Sequence, residues 1–262
     1  MSDTPDFATP QKLGAGRLVG ATFRTYFQNF GRLFLIAIIP ALFVNILASW
    51  FSTRYFASFM ANPNDPMAIF SLDYFMMIFV PTILGILVQA FILLAAADVL
   101  QGQAMQVGNY VNRTLTMIVP LLVVSILVYL GVMVGFVLLI VPGLWLAAYW
   151  SVYLPALLVE GRGFGAMGRS AQLTQGYRWP IIGAGILVLL VVYVLSVISG
   201  LVAGYGLMAD PSTLAQFSLV GTLLTAIVAA VSYGLMALFQ LLLFTRLIDI
   251  KEGGSDLAGV FE

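Results

Sequence analysis

The stretch PSTLAQFSLVGTLLTAIVAAVSYGLMALFQLLLFT, which runs from Pro211 to Thr245, contains no charged residue in 35 positions. A helix that crosses the hydrocarbon core of a bilayer needs about 20 predominantly apolar residues, so this run is long enough for one crossing. Four more uncharged runs precede it: Leu33–Thr53, Tyr74–Ala97, Thr114–Val159 and Trp179–Ala209. The third of these has 46 residues. As a helix it would be about 69 Å long, which is enough for two crossings.

These runs predict an all-α, polytopic membrane protein with six transmembrane helices in a single integral membrane domain that comprises residues 1–262. The predicted spans are Leu33–Phe51, Met76–Ala97, Leu115–Gly131, Phe136–Leu158, Ile181–Ala203 and Leu219–Leu243. The segments 1–11 and 251–262 are predicted to be polar tails. A re-entrant hairpin formed by the third and fourth segments is the alternative to two full crossings.

Composition excludes several classes of protein. Hydrophobic residues make up 61% of the chain and charged residues 8%, whereas a soluble domain has about 25% charged residues. Histidine and cysteine are absent, which removes imidazole bases, thiolate nucleophiles and the usual ligands of zinc or haem. We therefore expect no cofactor and no metal. Because the net charge is zero and no long basic run occurs, we expect no nucleic-acid partner.

The cationic residues predict the orientation. Six crossings place both termini on one side, together with the segments 98–113 and 160–178. That side holds ten of the eleven cationic residues, and the opposite side holds only Arg54. Short loops rich in lysine and arginine stay in the cytoplasm. We therefore expect both termini to be cytoplasmic.

A short amphipathic stretch precedes each odd-numbered span. Val19, Phe23, Tyr26, Phe27 and Phe30 form one apolar helical face in the first of them. Weaker faces follow in the second stretch, at 107–115, and in the third, at 164–174. The pattern suggests three repeated units of interfacial helix plus helical hairpin, over 12–98, 99–159 and 160–250. The alternative is the ordinary alternation of loops and hairpins in a polytopic protein.

One segment carries a resemblance. The stretch 141–179 reads VPGLWLAAYWSVYLPALLVEGRGFGAMGRSAQLTQGYRW. It resembles the signature of a bacterial family of multi-span proteins known as the membrane domain of glycerophosphoryl diester phosphodiesterase. The matching positions are Pro142, Gly143, Pro155, Glu160, Gly161, Arg169, Ser170, Leu173, Thr174, Gly176 and Trp179.

The resemblance implies a location in the bacterial plasma (inner) membrane. In the phosphodiesterases, catalysis belongs to a separate soluble barrel that uses histidine and acidic residues around a metal. This chain has no histidine, so the resemblance does not imply that activity here. We expect a protein that is not an enzyme.

The inner loop of the third unit holds the first candidate binding site. Glu160, Arg162, Arg169 and Arg178 lie close together in the sequence there. Arginine binds phosphate in a bidentate manner, so a headgroup or partner site is one interpretation, with Arg169 as its first residue. The other interpretation is ordinary positive-inside residues, with Glu160 paired to a neighbouring arginine.

Two features of the spans can each be explained by a functional site or by helix packing. Pro142 and Gly143 predict a helix break, which either lines a substrate cavity or makes a fixed kink. The amides of Asn45, Gln89 and Gln240 need partners in hydrocarbon, and hydrogen bonds between helices are favoured over a substrate site as their explanation. No ionisable residue lies in the middle of a span, which counts against an ion-coupled carrier.

Three functional hypotheses follow. The first is a non-enzymatic accessory protein, scaffold or assembly factor, with membrane lipids, another membrane protein or a second copy of itself as partner. The second is a transporter of a lipid or a small apolar solute along proline-broken helices. It predicts a cavity that reaches mid-membrane beside Pro142 and Asn45 or Gln89, and a filled bundle centre would count against it. The third is a membrane-embedded lipid enzyme, which lacks an obvious acid pair.

Overall fold

The computed structural model describes residues 13–64, 67–209 and 214–253, and within these every regular element is helical. The helices are α1 (Ala15–Gln28), α2 (Phe30–Ala61), α3 (Leu72–Leu100), α4 (Val107–Thr116), α5 (Ile118–Leu138), α6 (Ile140–Tyr149), α7 (Tyr153–Leu158), α8 (Ala166–Thr174), α9 (Arg178–Ala209) and α10 (Leu214–Glu252). Two 3₁₀ turns, Ala68–Phe70 and Gly163–Gly165, complete the described elements. The predicted tail at 1–11 lies outside the described residues. Of the predicted tail at 251–262, residues 254–262 also lie outside the described part of the chain, and Lys251 and Glu252 form the end of α10.

Six stretches are long and apolar enough to span a membrane, which confirms the predicted fold class. They are Phe30–Ala61, Leu72–Leu100, Ile118–Leu138, Ile140–Leu158, Arg178–Leu201 and Val220–Glu252. The fourth combines α6 and α7. The third has 21 residues, or about 31 Å of helix, which matches the hydrocarbon core.

Prolines mark where four helices begin. Pro120, Pro142, Pro155 and Pro180 are each the third residue of a helix, α5, α6, α7 and α9 respectively. A proline ring clashes with the carbonyl four residues earlier, and its missing N–H needs no partner in the first turn. The helix therefore starts just before the proline and continues through it.

This rule corrects the break predicted at Pro142 and Gly143. Helix α6 passes through both residues, and the chain leaves helical geometry at Leu139, with φ −165° and ψ 156°. The turn expected near Gly131–Gly135 is also wrong, because both glycines lie inside α5. The two spans of the 46-residue run therefore meet at Leu139, several residues later than predicted.

Glycine packing holds α5 and α6 together. A Cβ atom on Gly135 would lie 2.9 Å from the Cα of Gly143, and one on Gly131 would lie 2.5 Å from the ring of Trp150. The two helices pack as an antiparallel hairpin, and Tyr153 donates a hydrogen bond of 3.2 Å to Ser125 near its base. Small residues allow this close backbone approach in a membrane.

Helix α10 is the centre of the bundle. It packs against α1, α2, α3 and α9. Half of the residues in its most apolar stretch are buried, compared with 17% for α9. A helix that faces lipid on one side buries fewer of its residues against other helices. Helix α9 is therefore peripheral, and α10 forms the core.

The three amphipathic stretches are helices, as predicted, but they bury different faces. Helix α1 buries Leu18, Thr22 and Tyr26, whereas Phe27 is 69% exposed. Helix α4 leaves its apolar Val107 and Leu115 exposed, which suits a position at the membrane interface. Whether the three units form a structural repeat stays a prediction.

Helix α8, the third amphipathic stretch, enters the bundle instead of lying on it. Its four buried residues are Ala166, Ser170, Leu173 and Thr174. They face α6, α7 and α10, which pack around this helix. Phe164, where the predicted amphipathic stretch begins, precedes α8 and is exposed.

The charged segments 98–113, 160–178 and 246–253 lie together. Arg169 pairs with Glu252, and a Cβ atom on Gly161 would lie 3.4 Å from the guanidinium of Arg113. Arg54 pairs instead with Asp73, at 3.6 Å, across the connection between α2 and α3. Six crossings predict that the first three segments share one side of the membrane.

Candidate functional site

The fourth span is interrupted at residues 150–152, between α6 and α7. Tyr153 donates its backbone N–H to the Trp150 carbonyl, so the Tyr149 carbonyl loses its ordinary helical donor. Ser170 of α8 replaces that donor, at 3.0 Å from the Tyr149 oxygen. Thr174 lies 3.2 Å from the same oxygen, but its hydroxyl group is closer, at 2.9 Å, to the Ser170 carbonyl. Ser170 Oγ also accepts from the Val152 N–H at 3.3 Å. The Ser170 hydroxyl group thus satisfies the backbone groups that the break exposes, as an apolar environment requires.

A cavity of about 880 Å³ lies beside this break, between α3, α5, α6, α7, α9 and α10. The interruption at 150–152 directs Trp150, Ser151 and Tyr153 to its wall. The remaining wall is mostly aliphatic and aromatic, and no lining residue is charged. Cavities that bind small molecules are typically a few hundred to about 1,000 Å³ and mainly apolar, so this volume falls in the usual range.

The cavity is open on one side. Four of its lining residues on α5 and α9 are well exposed, namely Tyr129 (55%), Met133 (62%), Ile186 (46%) and Leu189 (51%). These residues lie in the spanning parts of their helices. A molecule dissolved in the bilayer could therefore reach the cavity from the side.

The opposite end of the cavity is closed. Helices α3 and α10 continue beyond it with Ile92, Leu93, Leu241 and Phe244, whose exposed fraction is 0%. In α7, Leu157 is buried to the same extent. These side chains separate the cavity from the end of the bundle that holds Arg169.

Most hydroxyl groups of the cavity wall already have partners within the protein. Ser151 donates to the Ala148 carbonyl at 2.9 Å, Ser232 donates to the Val228 carbonyl at 2.7 Å, and Thr82 donates to the Ile78 carbonyl at 2.6 Å. Tyr153 donates to Ser125. These four hydroxyl groups are committed to local bonds, whereas no hydrogen bond is found for the hydroxyl groups of Tyr129 and Tyr233, which also line the cavity, within the described part of the chain.

Two of the three predicted intramembrane amides line this cavity. Gln89 on α3 and Gln240 on α10 are both part of its wall. Gln89 Nε2 and Gln240 Oε1 are buried and have no hydrogen-bond partner within the described part of the chain. Asn45 behaves differently, because its Nδ2 donates to the Ala41 carbonyl of its own helix at 2.8 Å. The structure therefore brings Gln89 and Gln240 to one site and leaves Asn45 outside it.

The predicted inner-loop cluster forms an ion-pair network around Glu160. Arg169 donates to both carboxylate oxygens of Glu160, the closest pair being 2.7 Å apart, and its other terminal nitrogen is 2.7 Å from Glu252. Arg162 is 3.0 Å from the same Glu160. The hydrogen bonds that Arg169 donates to Glu160 raise the pKa of its guanidinium, burial lowers it by less, and the bond to Glu252 raises it further. Arg169 is thus engaged with two carboxylates of its own chain.

Arg178 lies apart from this network. Its guanidinium carbon is 4.0 Å from the centroid of the Trp145 ring and 4.5 Å from that of Tyr149. Such a position over aromatic rings stabilises a cation by electrostatic attraction. Arg178 therefore anchors the start of α9 to α6, and neither aromatic residue lines the cavity.

A second, polar pocket of about 460 Å³ lies where α3, α4 and α7 meet. Tyr110 there donates to Asp98 and accepts from the Gln106 N–H at 2.9 Å. Burial, followed by the bond to Asp98, raises the pKa of Tyr110 to about 12. Arg113 donates to the Leu158 carbonyl at 3.1 Å, which caps the end of α7. These bonds tie α4 to the bundle.

Sequence reasoning missed several residues of these sites. Tyr129 and Tyr233 line the cavity, and Glu252 completes the Glu160 network, but none was singled out. Trp150 and Tyr153, which lie inside the predicted fourth span, pack against the core and also line the cavity. The one usable signal was Pro155, which forces an interruption just before α7.

The chain was compared with protein-family models, with curated proteins and with solved structures, and none of the three comparisons found a match. The resemblance of residues 141–179 to the phosphodiesterase membrane domain therefore stays a prediction from the quoted residues. Any functional inference depends on the geometry described above.

Proposed function

We propose that this chain is a non-enzymatic integral membrane protein that takes up a lipid or a small apolar solute from the bilayer and carries it. The observation that supports the proposal is the laterally open, uncharged cavity beside the break in the fourth span. Of the three hypotheses from the sequence, only the transporter required a cavity, which it placed beside Pro142 and Asn45 or Gln89. Gln89 lines the observed cavity, whereas Pro142 and Asn45 do not. A scaffold has no need of an empty space of this size.

The inner-loop arginines give little support to the accessory-protein hypothesis. That hypothesis chose Arg169 as the contact for a headgroup or a partner, but Glu160 and Glu252 already occupy its guanidinium. Arg162 is 55% exposed and is the more accessible cation of the network. Membrane lipids thus remain the proposed partners, through the cavity in preference to the loop. A protein partner or a second copy stays a prediction.

Filling the cavity tests the proposal. Gly185 lines it, and a Cβ atom placed on Gly185 meets no atom within 4 Å, so a large side chain can project into the empty space. We expect Gly185→Phe to fold normally and to lose at least about tenfold of the co-purifying apolar molecule, because the ring occupies the ligand's volume. The measurement is mass spectrometry of lipids extracted from the protein after gentle solubilisation.

The matched control is Gly183→Phe. Gly183 lies two residues away on α9, meets no atom within 4 Å either, and does not line the cavity. We expect this variant to retain the co-purifying molecule at the level of the unmodified protein. Equal retention by Gly185→Phe and Gly183→Phe would rule out the cavity as the binding site.

We also propose that the protein lies in the bacterial plasma membrane with both termini in the cytoplasm. The chain has no cysteine, so single-cysteine variants can be labelled without background. A membrane-impermeant maleimide on intact cells should label Asn64→Cys and should spare Arg162→Cys until the membrane is permeabilised. Labelling of Arg162→Cys alone would reverse the proposed orientation.

A further inference from the structure

We infer that the cavity is selective for an uncharged lipid whose polar group is a hydroxyl, and that Gln89 and Gln240 are the residues that recognise it. The inference rests on the proposed function and names its ligand class. The observation that carries it is the pair of amides in the wall of an uncharged and mainly apolar cavity, each with a buried atom that lacks a partner. The other polar groups of the wall are hydroxyl groups, and four of the six have local partners.

The absence of charge in the wall restricts the ligand. An ionised phosphate or carboxylate that leaves water needs a cation or several hydrogen-bond donors beside it. No residue of the cavity wall is charged, and the nearby guanidinium of Arg178 lies over Trp145 and Tyr149, which belong to another face of α6. A phospholipid headgroup in this cavity would therefore lose its hydration without gaining a cation in return.

The two amides are complementary to a hydroxyl group. A buried donor or acceptor without a partner costs free energy in an apolar medium. Gln89 Nε2 and Gln240 Oε1 are closed to the cavity as they stand, so each amide must turn about its last side-chain bond to present its unpaired atom to a ligand, and it gains a partner when it does. An amide offers one acceptor and two donors, and a hydroxyl group both donates and accepts. An alcohol can therefore accept from one amide and donate to the other, whereas an ester or an ether can only accept.

The positions of the amides define how the ligand would lie. On α3, Gln89 is the lining residue nearest to the closed end, and on α10 that residue is Gln240. The lining residues of α5 and α9 that are exposed to the bilayer lie towards the open side. The hydroxyl group would then enter first and reach the amides, and the hydrocarbon part would extend towards α5 and α9.

A comparison of matched lipids tests this selectivity. The unmodified protein in nanodiscs is offered diacylglycerol, the same diacylglycerol with its hydroxyl group methylated, and phosphatidic acid with the same chains. Native mass spectrometry measures the bound fraction of each. We expect diacylglycerol to bind about tenfold better than the methyl ether, the effect of one hydrogen bond, and phosphatidic acid to bind least. A long-chain isoprenoid alcohol as a fourth probe separates a general alcohol site from one that fits two acyl chains.

Amide variants assign the recognition to residues. Gln89→Leu and Gln240→Leu should each reduce the preference for the hydroxyl group by about fivefold to tenfold, while binding of the methyl ether stays unchanged. Both variants remove an unpaired polar group from an apolar setting, so they should fold at least as well as the unmodified chain. Asn45→Leu, which removes an amide away from the cavity, should leave the preference intact.

The outcomes separate the two claims. Equal binding of diacylglycerol and its methyl ether, or an unchanged preference in both glutamine variants, would overturn the inference. If Gly185→Phe still abolished binding of both lipids, the proposed function would stand without the hydroxyl selectivity. Retention of all probes by Gly185→Phe would instead remove the cavity itself as the site.

Discussion

Gly135→Val is expected to force α5 and α6 apart and to lower the free energy of unfolding by about 3 kcal/mol, at the upper end of the usual cost of overpacking. A Cβ atom on Gly135 already lies 2.9 Å from the Cα of Gly143 and 2.9 Å from Cδ1 of Leu146. Backbone atoms cannot rotate out of the way as a side chain can. The hairpin must therefore open, and the close packing that holds Trp150 against Gly131 is lost with it.

The measurement is thermal unfolding of the purified protein in mild detergent, followed by circular dichroism. Gly200→Val is the matched control, because Gly200 lies inside α9 and a Cβ atom there meets no atom within 4 Å. Valine and glycine differ by less than about 1 kcal/mol in helix propensity, so the control should shift the transition little. A Gly135→Val protein as stable as the control would show that the hairpin is not held by this contact.

Much of the fold follows from the sequence because the hydrocarbon core imposes a length. The uncharged run from Thr114 to Val159 is too long for one crossing, and the structure forms two stretches there that are each long enough to cross a membrane. The charges of the loops predict which segments share a side, and the Glu160 network joins two of those segments. The length of the uncharged runs and the charges of the loops both reflect the solvation of side chains, which residue type largely determines.

The turn between the third and fourth spans could not be located in this way. Gly131 and Gly135 resemble turn residues, but in the structure they make room for the opposite helix. Pro142 resembles the break itself, but its ring excludes helical geometry upstream, at Leu139. A glycine in a membrane helix has two possible uses, and only the position of the neighbouring helix decides between them.

The cavity was beyond the reach of sequence reasoning for a related reason. Empty space is a property of how far apart α3, α5 and α9 lie, and no residue type encodes it. The sequence did identify Gln89, Gln240 and Asn45 as polar groups in hydrocarbon that need partners. It could not tell that Asn45 finds one on its own helix while Gln89 and Gln240 face the cavity.

The ion pairs of the inner loop were also only partly predictable from the sequence. Glu160 and Arg169 were both singled out from the sequence, together with the possibility that they pair. Their third partner, Glu252, was assigned to a polar tail, because the uncharged run that marks the sixth span ends at Thr245. In the structure α10 continues to Glu252 and brings that carboxylate to Arg169, so the network joins the third unit to the end of the chain's last helix.

Arg169→Ala is therefore expected to destabilise the protein by about 2 to 3 kcal/mol, somewhat less than the cost of breaking a fully buried pair. Only 9% of the Glu160 side chain and 15% of the Arg169 side chain are exposed. Removal of the arginine leaves Glu160 with Arg162 as its remaining partner and leaves Glu252 without the cation it now contacts. The end of α10 should detach from α8, which hydrogen exchange of residues 246–252 would detect.

Arg162→Ala is the control that separates this structural role from a binding role. Arg162 pairs with the same carboxylate, but 55% of its side chain is exposed, and exposed pairs contribute about 0 to 1 kcal/mol. The network thus predicts a large loss of stability for Arg169→Ala, a small one for Arg162→Ala, and similar lipid retention by both once folded. A docking role predicts the reverse for Arg169→Ala: an unchanged unfolding transition with reduced co-purification of lipid or partner. Since Arg169 cannot hold two carboxylates and also bind a phosphate with the same donors, the two results exclude each other.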